Sequence, residues 1–460
     1  MTTVARPRTN ADWIAIEQET FFRSRRAPVV IERGEGCRVW DVEGHEYLDL
    51  IAGIAVVSLG HASPVVQQAL AEQSAKLVQI SNLFYSVPQL ELAELLTQNS
   101  PFDRVFFCNS GAEANEAAIK LARKWGKQHR NGAYAVIAAE HAFHGRTLAT
   151  VTATGKDAYM LPYAPLPDGF PHVPFNDMDA LERAIDDTTV AVLLEPIQGE
   201  SGVHIANDSY LSDVADLCRA KNLLFMLDEV QTGVGRLGTF FGFERWGVTP
   251  DVVTLAKGLG GGVPIGALLA REEVAVFEPG DHGSTFGGQP LTCAVARDVV
   301  RYILDHDVLG NVKRVGSHLQ GGLERLKAEQ PLIQTVRGEG LLLALDLTVD
   351  RANDVVRLGL GEGVLLNATG PSTLRLAPPL IQSVRGEGLL LALDLTVDRA
   401  NDVVRLGLGE GVLLNATGPA TLRLAPPLVL TEAEADEAVE KLGRSLGRLT
   451  LPETTQAAAG

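Results

Sequence analysis

The chain is short of cysteine. Cys37, Cys108, Cys218 and Cys293 are the four in 460 residues, with no CxxC and no metal-ligand spacing among them. That scatter excludes a disulfide framework and a zinc site, so no metal is expected and the thiols read as reduced ones in a cytoplasmic protein. No apolar run approaches the length of a membrane span, and the opening MTTVARPRTN lacks the apolar core of a signal peptide. Positive charge is scarce too. With 40 Lys+Arg against 57 Asp+Glu the net charge is −17, which excludes a general nucleic-acid surface. What is present is a hydrophobic fraction of 46% and 46 glycines, the make-up of a well-buried α/β protein. At this length two or three domains are expected rather than one core.

Residues 1–61 read as an N-terminal arm and part of a small domain, with a helix near 12–22 and a hairpin through RVWDVEGHEYLDL turning at Glu43-Gly44. Residues 62–300 alternate helices with the apolar runs RVFFCNS, AVIAAE, VAVLLEP, LLFMLDE, VVTLAK and GALLA. Near-continuous apolar runs are what strands buried on both faces of a parallel sheet require. Each run ends in polar or glycine residues, at the carboxyl edge where open α/β sheets place their ligands. Residues 301–448 form the C-terminal part of the small domain, and a disordered tail is expected over 449–460.

Within that C-terminal part, residues 332–379 recur as 380–427 with 46 of 48 positions identical. The two differences are Thr335/Ser383 and Ser372/Ala420. Repeat architectures usually need three or more units and diverge in sequence, so this reads as a recent tandem duplication or as an artefact of sequence assembly. The surplus unit is expected either to add a strand pair to the small domain or to remain partly disordered. A fully exposed loop so rich in leucine and valine would be sticky.

The chemistry gathers at strand ends. Lys257 in TLAKGLGGG and Asp228 in FMLDEVQTG suit pyridoxal phosphate: the lysine can hold the aldehyde as a Schiff base, and the carboxylate can keep the pyridine nitrogen protonated. Taken singly, each is as well explained as a surface lysine or a helix-capping aspartate. In NSGAEANEAAIKLARKW, Ser110 and Glu113 form a capping-box pattern, and Gly111 and Ala112 leave first-turn amides open to an anion. Ala114, Ala117, Ala118, Leu121, Ala122 and Trp125 share one helix face. Phe143 and Arg146 in HAFHGRT offer a ring to stack on a flat cofactor and a guanidinium that needs an anionic partner, a substrate carboxylate or a structural one. In LLEPIQGE, Glu195 reads as architectural, and Glu200 either reaches the pocket or sits solvated in its loop. Gln231 can face the cofactor beside Asp228, and the glycine-bracketed hydroxyls Ser284 and Thr285 can meet a phosphate.

These motifs in order (NSGAEANEAAIKLAR, AFHGRT, EPIQGE, DEVQTGVGR, LAKGLGGG, then HGSTFGG and RLAPPL) resemble the class III pyridoxal-phosphate aminotransferases over nearly the whole chain apart from the surplus unit and the tail. The resemblance implies the type I fold of pyridoxal-phosphate transferases: a large domain with a mostly parallel seven-stranded sheet, and a small α+β domain built from both termini. It implies that Lys257 is the Schiff-base lysine and proton carrier, with Asp228 on the ring nitrogen and Gln231 on the ring's phenolic oxygen. Phe143 would stack on the ring, and Glu229 and Val230 would be counted with these cofactor contacts. Ser110, Gly111 and Ala112 would hold the phosphate, and Thr285 would add a contact from a neighbouring copy in a homodimer. Arg146 and Ser284 would bind the donor, N2-acetylornithine, in arginine biosynthesis. The arginine before LAPPL would bind the carboxylate of glutamate or 2-oxoglutarate, neutralised by Glu200 while the donor is bound. Two arginines qualify, Arg375 and Arg423, and the closing helix TEAEADEAVEKL after the second favours Arg423. Ornithine, 4-aminobutyrate, succinylornithine and lysine-pathway donors stay open, as do an aminomutase on the same fold and a cofactor-binding protein without activity.

Overall fold

The computed structural model describes residues 8–22 and 26–380 and the helix Glu432–Gly447. It also describes the short strands Asp394–Val397, Gly411–Val412, Asn415–Ala416 and Leu422–Arg423. The expected tail over 449–460 lies outside these residues.

The large domain is a seven-stranded sheet. Its strands in chain order are β1 (Arg104–Cys108), β2 (Ala135–Ala139), β3 (His172–Val173), β4 (Thr189–Leu194), β5 (Leu224–Asp228), β6 (Val252–Leu255) and β7 (Gly266–Ala270). They lie in the order β1-β7-β6-β5-β4-β2-β3. Strands β2, β4, β5, β6 and β7 are buried at every residue, which is why their sequences are apolar throughout instead of alternating. The sheet is parallel except for β7, which runs antiparallel to both β6 and β1. The edge strand β3 has only two residues and had no readable apolar run.

Helix α1 (Gly111–His129) packs its alanine-rich stripe on the sheet and buries all six residues of the expected face. Small side chains let helix and sheet approach closely, and a fully buried leucine such as Leu121 contributes about 2–5 kcal/mol against truncation to alanine. Among the described residues no helix is long and apolar enough to cross a membrane.

The N-terminal helix spans Asn10–Thr20, two residues ahead of expectation, because Thr9 and Asp12 cap it reciprocally. The hairpin continues the chain as Arg38–Asp41 against Glu46–Asp49. Its turn is held by Asp41 Oδ1, which accepts from the Glu43 and His45 amides at 2.9 Å, and by Gly44 at φ +88. Strand Glu362–Leu365 adds to this hairpin in parallel, pairing Val364 with Leu48, so the first copy of the repeat joins the two ends of the chain. The rest of that copy forms Ile333–Glu339, Leu342–Asp350, the helix Ala352–Gly361, and the hairpin Asn367–Ala368 with Thr373–Leu376.

The described strands of the second copy lie beside the first. Asp394–Val397 runs parallel to Leu342–Asp350, and Gly411–Val412 runs parallel to Glu362–Leu365. The closing helix reaches back to the N-terminal hairpin, where Glu437 accepts from Arg38 at 2.8 Å.

Candidate active site

Five strand ends converge on one cavity of about 400 Å³. Asp228 ends β5 and pairs in register with Thr254 of β6, so a chain that leaves β6 at Leu255 delivers Lys257 to the same opening. That adjacency of parallel neighbours explains how residues twenty-nine apart share a cavity. Lys257 itself takes φ +40, a left-handed conformation that costs a non-glycine residue about 1–2 kcal/mol. Strain of this kind persists where the surroundings fix a functional side chain.

Asp228 is 3% exposed and gathers three donors. Its Oδ2 accepts from Asn115 Nδ2 at 2.7 Å and pairs with His144 Nδ1 at 2.8 Å, and its Oδ1 accepts from the Val230 amide at 3.0 Å. Asn115 is in turn held by the Thr254 hydroxyl at 2.7 Å. Burial alone would lower the pKa of His144. The hydrogen bond to Asp228 and the fields of Asp228 and Glu195 outweigh it and raise the value. His144 and Asn115 occupy one side of the carboxylate, and Asp228 also lines the cavity.

Glu195 does more than end its strand, contrary to the architectural expectation. It lines the cavity, accepts from the Phe143 amide at 2.9 Å, and is pushed up to about 7 by burial against the opposing charges of His144 and Lys257.

At the start of α1, Ser110 Oγ accepts from the Glu113 amide at 3.2 Å. The capping box is displaced by one residue, because Glu113 reaches the Asn109 amide at 2.6 Å instead of that of Ser110. Among the described residues the Gly111 and Ala112 amides have no acceptor, and both residues line the cavity beside Val230. An added Cβ at Gly111 would stand 2.8 Å from both Val230 methyls, so the close approach requires glycine.

Arg375 does not line the cavity; it lies fully buried behind Glu200 and Gln231, which do. Its Nη1 donates to Gly199 O and, at 2.8 Å, to Gln231 Oε1, and its Nη2 donates to Glu200 Oε2 at 2.9 Å and Asn367 Oδ1 at 3.1 Å. The Arg423 side chain, the one favoured from sequence, lies outside the described residues. Arg146 stands exposed at the cavity wall, not buried as the motif suggested. Its guanidinium lies 3.7 Å from the Tyr159 ring centroid and 5.6 Å from that of Phe143, and among the described residues no carboxylate pairs with it.

Two expected positions are elsewhere. Glu229 turns away from the cavity to accept from the Gly242 and Phe243 amides, and burial pushes it up to about 8. Ser284 does not line the cavity, and its Oγ accepts from Asn109 at 3.0 Å. Thr285, expected to serve a neighbouring copy, is exposed. Reading by motif missed Asn115, His144, Glu195 and Val56. Val56 comes after a turn in which Ala52, Gly53, Ile54 and Ala55 are all left-handed, anchored by Asp49 Oδ1 on the Ile51 and Ala52 amides.

The family model described as Aminotransferase class-III matches residues 22–383 and, a second time, residues 380–446. The chain is a class-III aminotransferase. It is 52% identical over 363 residues to the acetylornithine aminotransferase of Gloeobacter violaceus, covering 78% of this chain and 91% of that protein. It is 49% identical over 352 residues to that of Methanothermobacter thermautotrophicus, covering 76% and 89%. Among solved structures, the acetylornithine aminotransferase of Elizabethkingia anophelis superposes with a TM-score of 0.78 at 33% identity, over 96% of this chain and all of that one (100%). The ornithine aminotransferase of Toxoplasma gondii superposes at 0.82 and 31%, over 96% of each chain.

Enzymes of this class work with pyridoxal 5′-phosphate, and the residues of the class-III aminotransferase site fit it. The cavity joins a lysine, a buried carboxylate with one face toward the opening, and two acceptor-less amides on the positive end of a 19-residue helix.

Proposed function

We propose that the enzyme transfers the terminal amino group of N2-acetylornithine to 2-oxoglutarate. The observation that carries this reading is a pair of arginines, Arg146 on the cavity wall and Arg375 behind it, hydrogen-bonded to the lining residues Glu200 and Gln231. Arg146 is exposed and without a carboxylate partner among the described residues, whereas Arg375 is buried and neutralised by Glu200. A donor with one carboxylate and an acceptor with two need such an arrangement: one site always open, and one that opens only for the second carboxylate.

Lys257 would hold pyridoxal phosphate covalently, with its ring against Phe143 and Val230, its nitrogen at Asp228, its phenolic oxygen at Gln231, and its phosphate at Ser110, Gly111 and Ala112. When bound, the cofactor supplies an electron sink that makes the hydrogen beside the substrate's nitrogen acidic. Lys257 Nζ would take that proton from the carbon on one side of the nitrogen and return it to the carbon on the other, and the strained turn that carries the lysine fixes its position. Asp228, with His144 and Asn115 behind it, holds the positive charge on which the sink depends.

Arg146 receives the donor's α-carboxylate. The neutral acetamide beside that carboxylate lets the donor approach the guanidinium, whereas the ammonium of free ornithine would be repelled. In the second half, Glu200 releases Arg375 to the α-carboxylate of 2-oxoglutarate while Arg146 takes the distal one. The donor spans one bond more than the acceptor, and a long, bidentate side chain accommodates both.

The working unit in this reading is a homodimer in the cytoplasm. Leu83, Phe84, Tyr85 and Phe286 are exposed on one face, tied together by Gln79 on Thr285 O at 2.7 Å and Asn82 on Ser284 O at 2.9 Å. Such a patch suits a second copy, to whose cavity Thr285 and Ser284 would turn. The four cysteines, all free and buried, suit a reducing compartment.

The test is a panel of donors assayed with purified protein and 2-oxoglutarate. Acetylornithine should give the highest kcat/KM, ahead of ornithine by about tenfold or more for a repulsion of about 1.4 kcal/mol between ammonium and guanidinium, and ahead of 4-aminobutyrate. An enzyme that prefers ornithine would overturn the assignment.

A further inference from the structure

We infer that Tyr159 is a positioning residue for the donor's carboxylate: its ring aims the Arg146 guanidinium, so that the cavity wall holds a ready receptor and not a side chain sampling many conformers. This rests on the reading of Arg146 as that receptor.

The backbone on either side of the pair is fixed. Arg146 comes just before the helix Leu148–Ala153, which Thr147 and Thr150 cap, and Tyr159 comes after it on the short helix Asp157–Met160. Thr154 is fully buried and ties the two segments together. Its Oγ1 accepts from the His144 amide at 3.0 Å and donates to Thr150 O at 2.9 Å. The chain reverses at Gly155, left-handed at φ +64, where an added Cβ would stand 2.7 Å from His172 Cδ2 and 3.1 Å from Ala139 O. That approach requires glycine, and the reversal returns the chain to Arg146.

The Arg146 side chain is held differently. Among the described residues no acceptor holds its guanidinium, and its contacts are two rings. It lies over the face of Tyr159, 3.7 Å from the centroid, while Phe143 stands at 5.6 Å. Tyr159 is therefore the closer contact. An exposed arginine otherwise samples many rotamers, and ordering them when an anion binds weakens the binding. A ring against the guanidinium face restricts that sampling. The N–H donors lie in the plane of the group, so they stay open to a carboxylate.

An ion-pair partner would order the arginine too, but substrate would have to displace it, as at Arg375 and Glu200. Tyr159 orders Arg146 without occupying its donors. Lys156 Nζ stands 5.5 Å from the same centroid, so one ring carries two cations, a field that favours the anionic end of a substrate. Tyr159 does not itself line the catalytic cavity and acts through Arg146.

The experiment measures steady-state kinetics of the purified holoenzyme carrying Tyr159→Leu, Tyr159→Phe, Arg146→Ala, or Arg146→Ala with Tyr159→Leu. Leucine stays apolar but has no π-face. Tyr159→Leu should raise KM for acetylornithine by about 2–5-fold, the worth of one exposed cation–π contact, and leave kcat within about twofold. Phenylalanine keeps the face and should hold KM within about twofold of wild type. Arg146→Ala should raise KM by about tenfold or more, and adding Tyr159→Leu to it should change nothing further. A wild-type KM in Tyr159→Leu, a phenylalanine variant as impaired as the leucine one, or an undiminished effect of Tyr159→Leu in the Arg146→Ala background would each overturn the inference. An unchanged KM in Arg146→Ala would remove the receptor and its positioning residue together. A raised KM there beside an unchanged one in Tyr159→Leu would strike Tyr159 alone.

Discussion

Glu200→Gln tests the logic of the site without touching the duplicated segment, because Glu200 lies outside it and pairs with Arg375. Glutamine keeps an oxygen for the 2.9 Å hydrogen bond from Arg375 but removes the charge. Arg375 then retains only neutral acceptors on Gly199, Gln231 and Asn367. The Coulomb attraction of such a pair is roughly 4 kcal/mol in the effective dielectric of a protein surface. Glu200 is 20% exposed and regains hydration when it swings away, so the net cost of opening the pair is about 1–2 kcal/mol. Wild-type enzyme meets that cost each time 2-oxoglutarate binds, and the variant does not. Its KM for 2-oxoglutarate should fall by about 5–30-fold. The donor half-reaction should slow, since an unneutralised guanidinium then draws the donor's carboxylate to the wrong end of the cavity. Single-turnover measurement of each half-reaction separates the two effects. A variant whose acceptor half-reaction is unchanged or slower would refute the gate and make the pair a structural one.

Two further substitutions address the chemistry and the buried charges. Lys257→Ala should abolish turnover, about 10²–10⁴-fold from the lost proton transfer alone, together with the visible absorbance of the lysine-bound cofactor. Persistence of that absorbance would assign the covalent role to another group. Glu229→Gln should flatten the dependence of stability on pH. In the folded enzyme Glu229 is raised from 4.5 to about 8 by burial, so the folded state holds a proton that the unfolded chain releases. Wild-type stability attributable to this group is therefore fully present below about pH 4.5 and lost as pH rises toward 8, by up to about 1.4 kcal/mol per pH unit. Urea unfolding at pH 6 and pH 8 should show the wild type losing about 2 kcal/mol more than the variant. Equal losses would mean that Glu229 is already ionised in the folded state.

The sequence made the frame of this site legible because its strands are apolar along their whole length and stop at polar residues. LLFMLD and VVTLAK declare both where β5 and β6 run and where they deliver Asp228 and Lys257. The alanine face of α1 was readable for the same reason, as periodicity needs no tertiary information. Glu229 was misplaced because adjacent residues at a strand end point opposite ways, and nothing local says which of Asp228 and Glu229 faces the opening. Glu195 was taken for a strand terminator because the proline after it explains the strand's end without reference to the cavity. Val56 depends on a left-handed run through Ala52, Ile54 and Ala55, residues with no preference for that conformation, so the cause is tertiary: Asp49 holding the entry. The choice between Arg375 and Arg423 was undecidable in principle, since identical flanking sequences carry identical local preferences.

The three carboxylates at neighbouring strand ends show how one fold assigns different tasks to similar groups. Asp228 meets His144, Asn115 and a backbone amide, so its negative charge is supported from behind and available in front. Glu195, one strand away, accepts a single amide, and burial pushes it up to about 7 against the fields of His144 and Lys257. Glu229 accepts two amides yet faces no cation, and burial lifts it further. For Glu195 and Glu229 alike, burial outweighs the hydrogen bonds from neutral amides that would lower the value. The buried arginines differ in their partners. Arg375 faces the Glu200 carboxylate, and Arg236, equally buried but held by the Leu341 and Pro378 carbonyls, is depressed by burial. A substrate carboxylate that displaces Glu200 must therefore take over its charge as well as its hydrogen bond. That requirement makes the site select a dianionic acceptor.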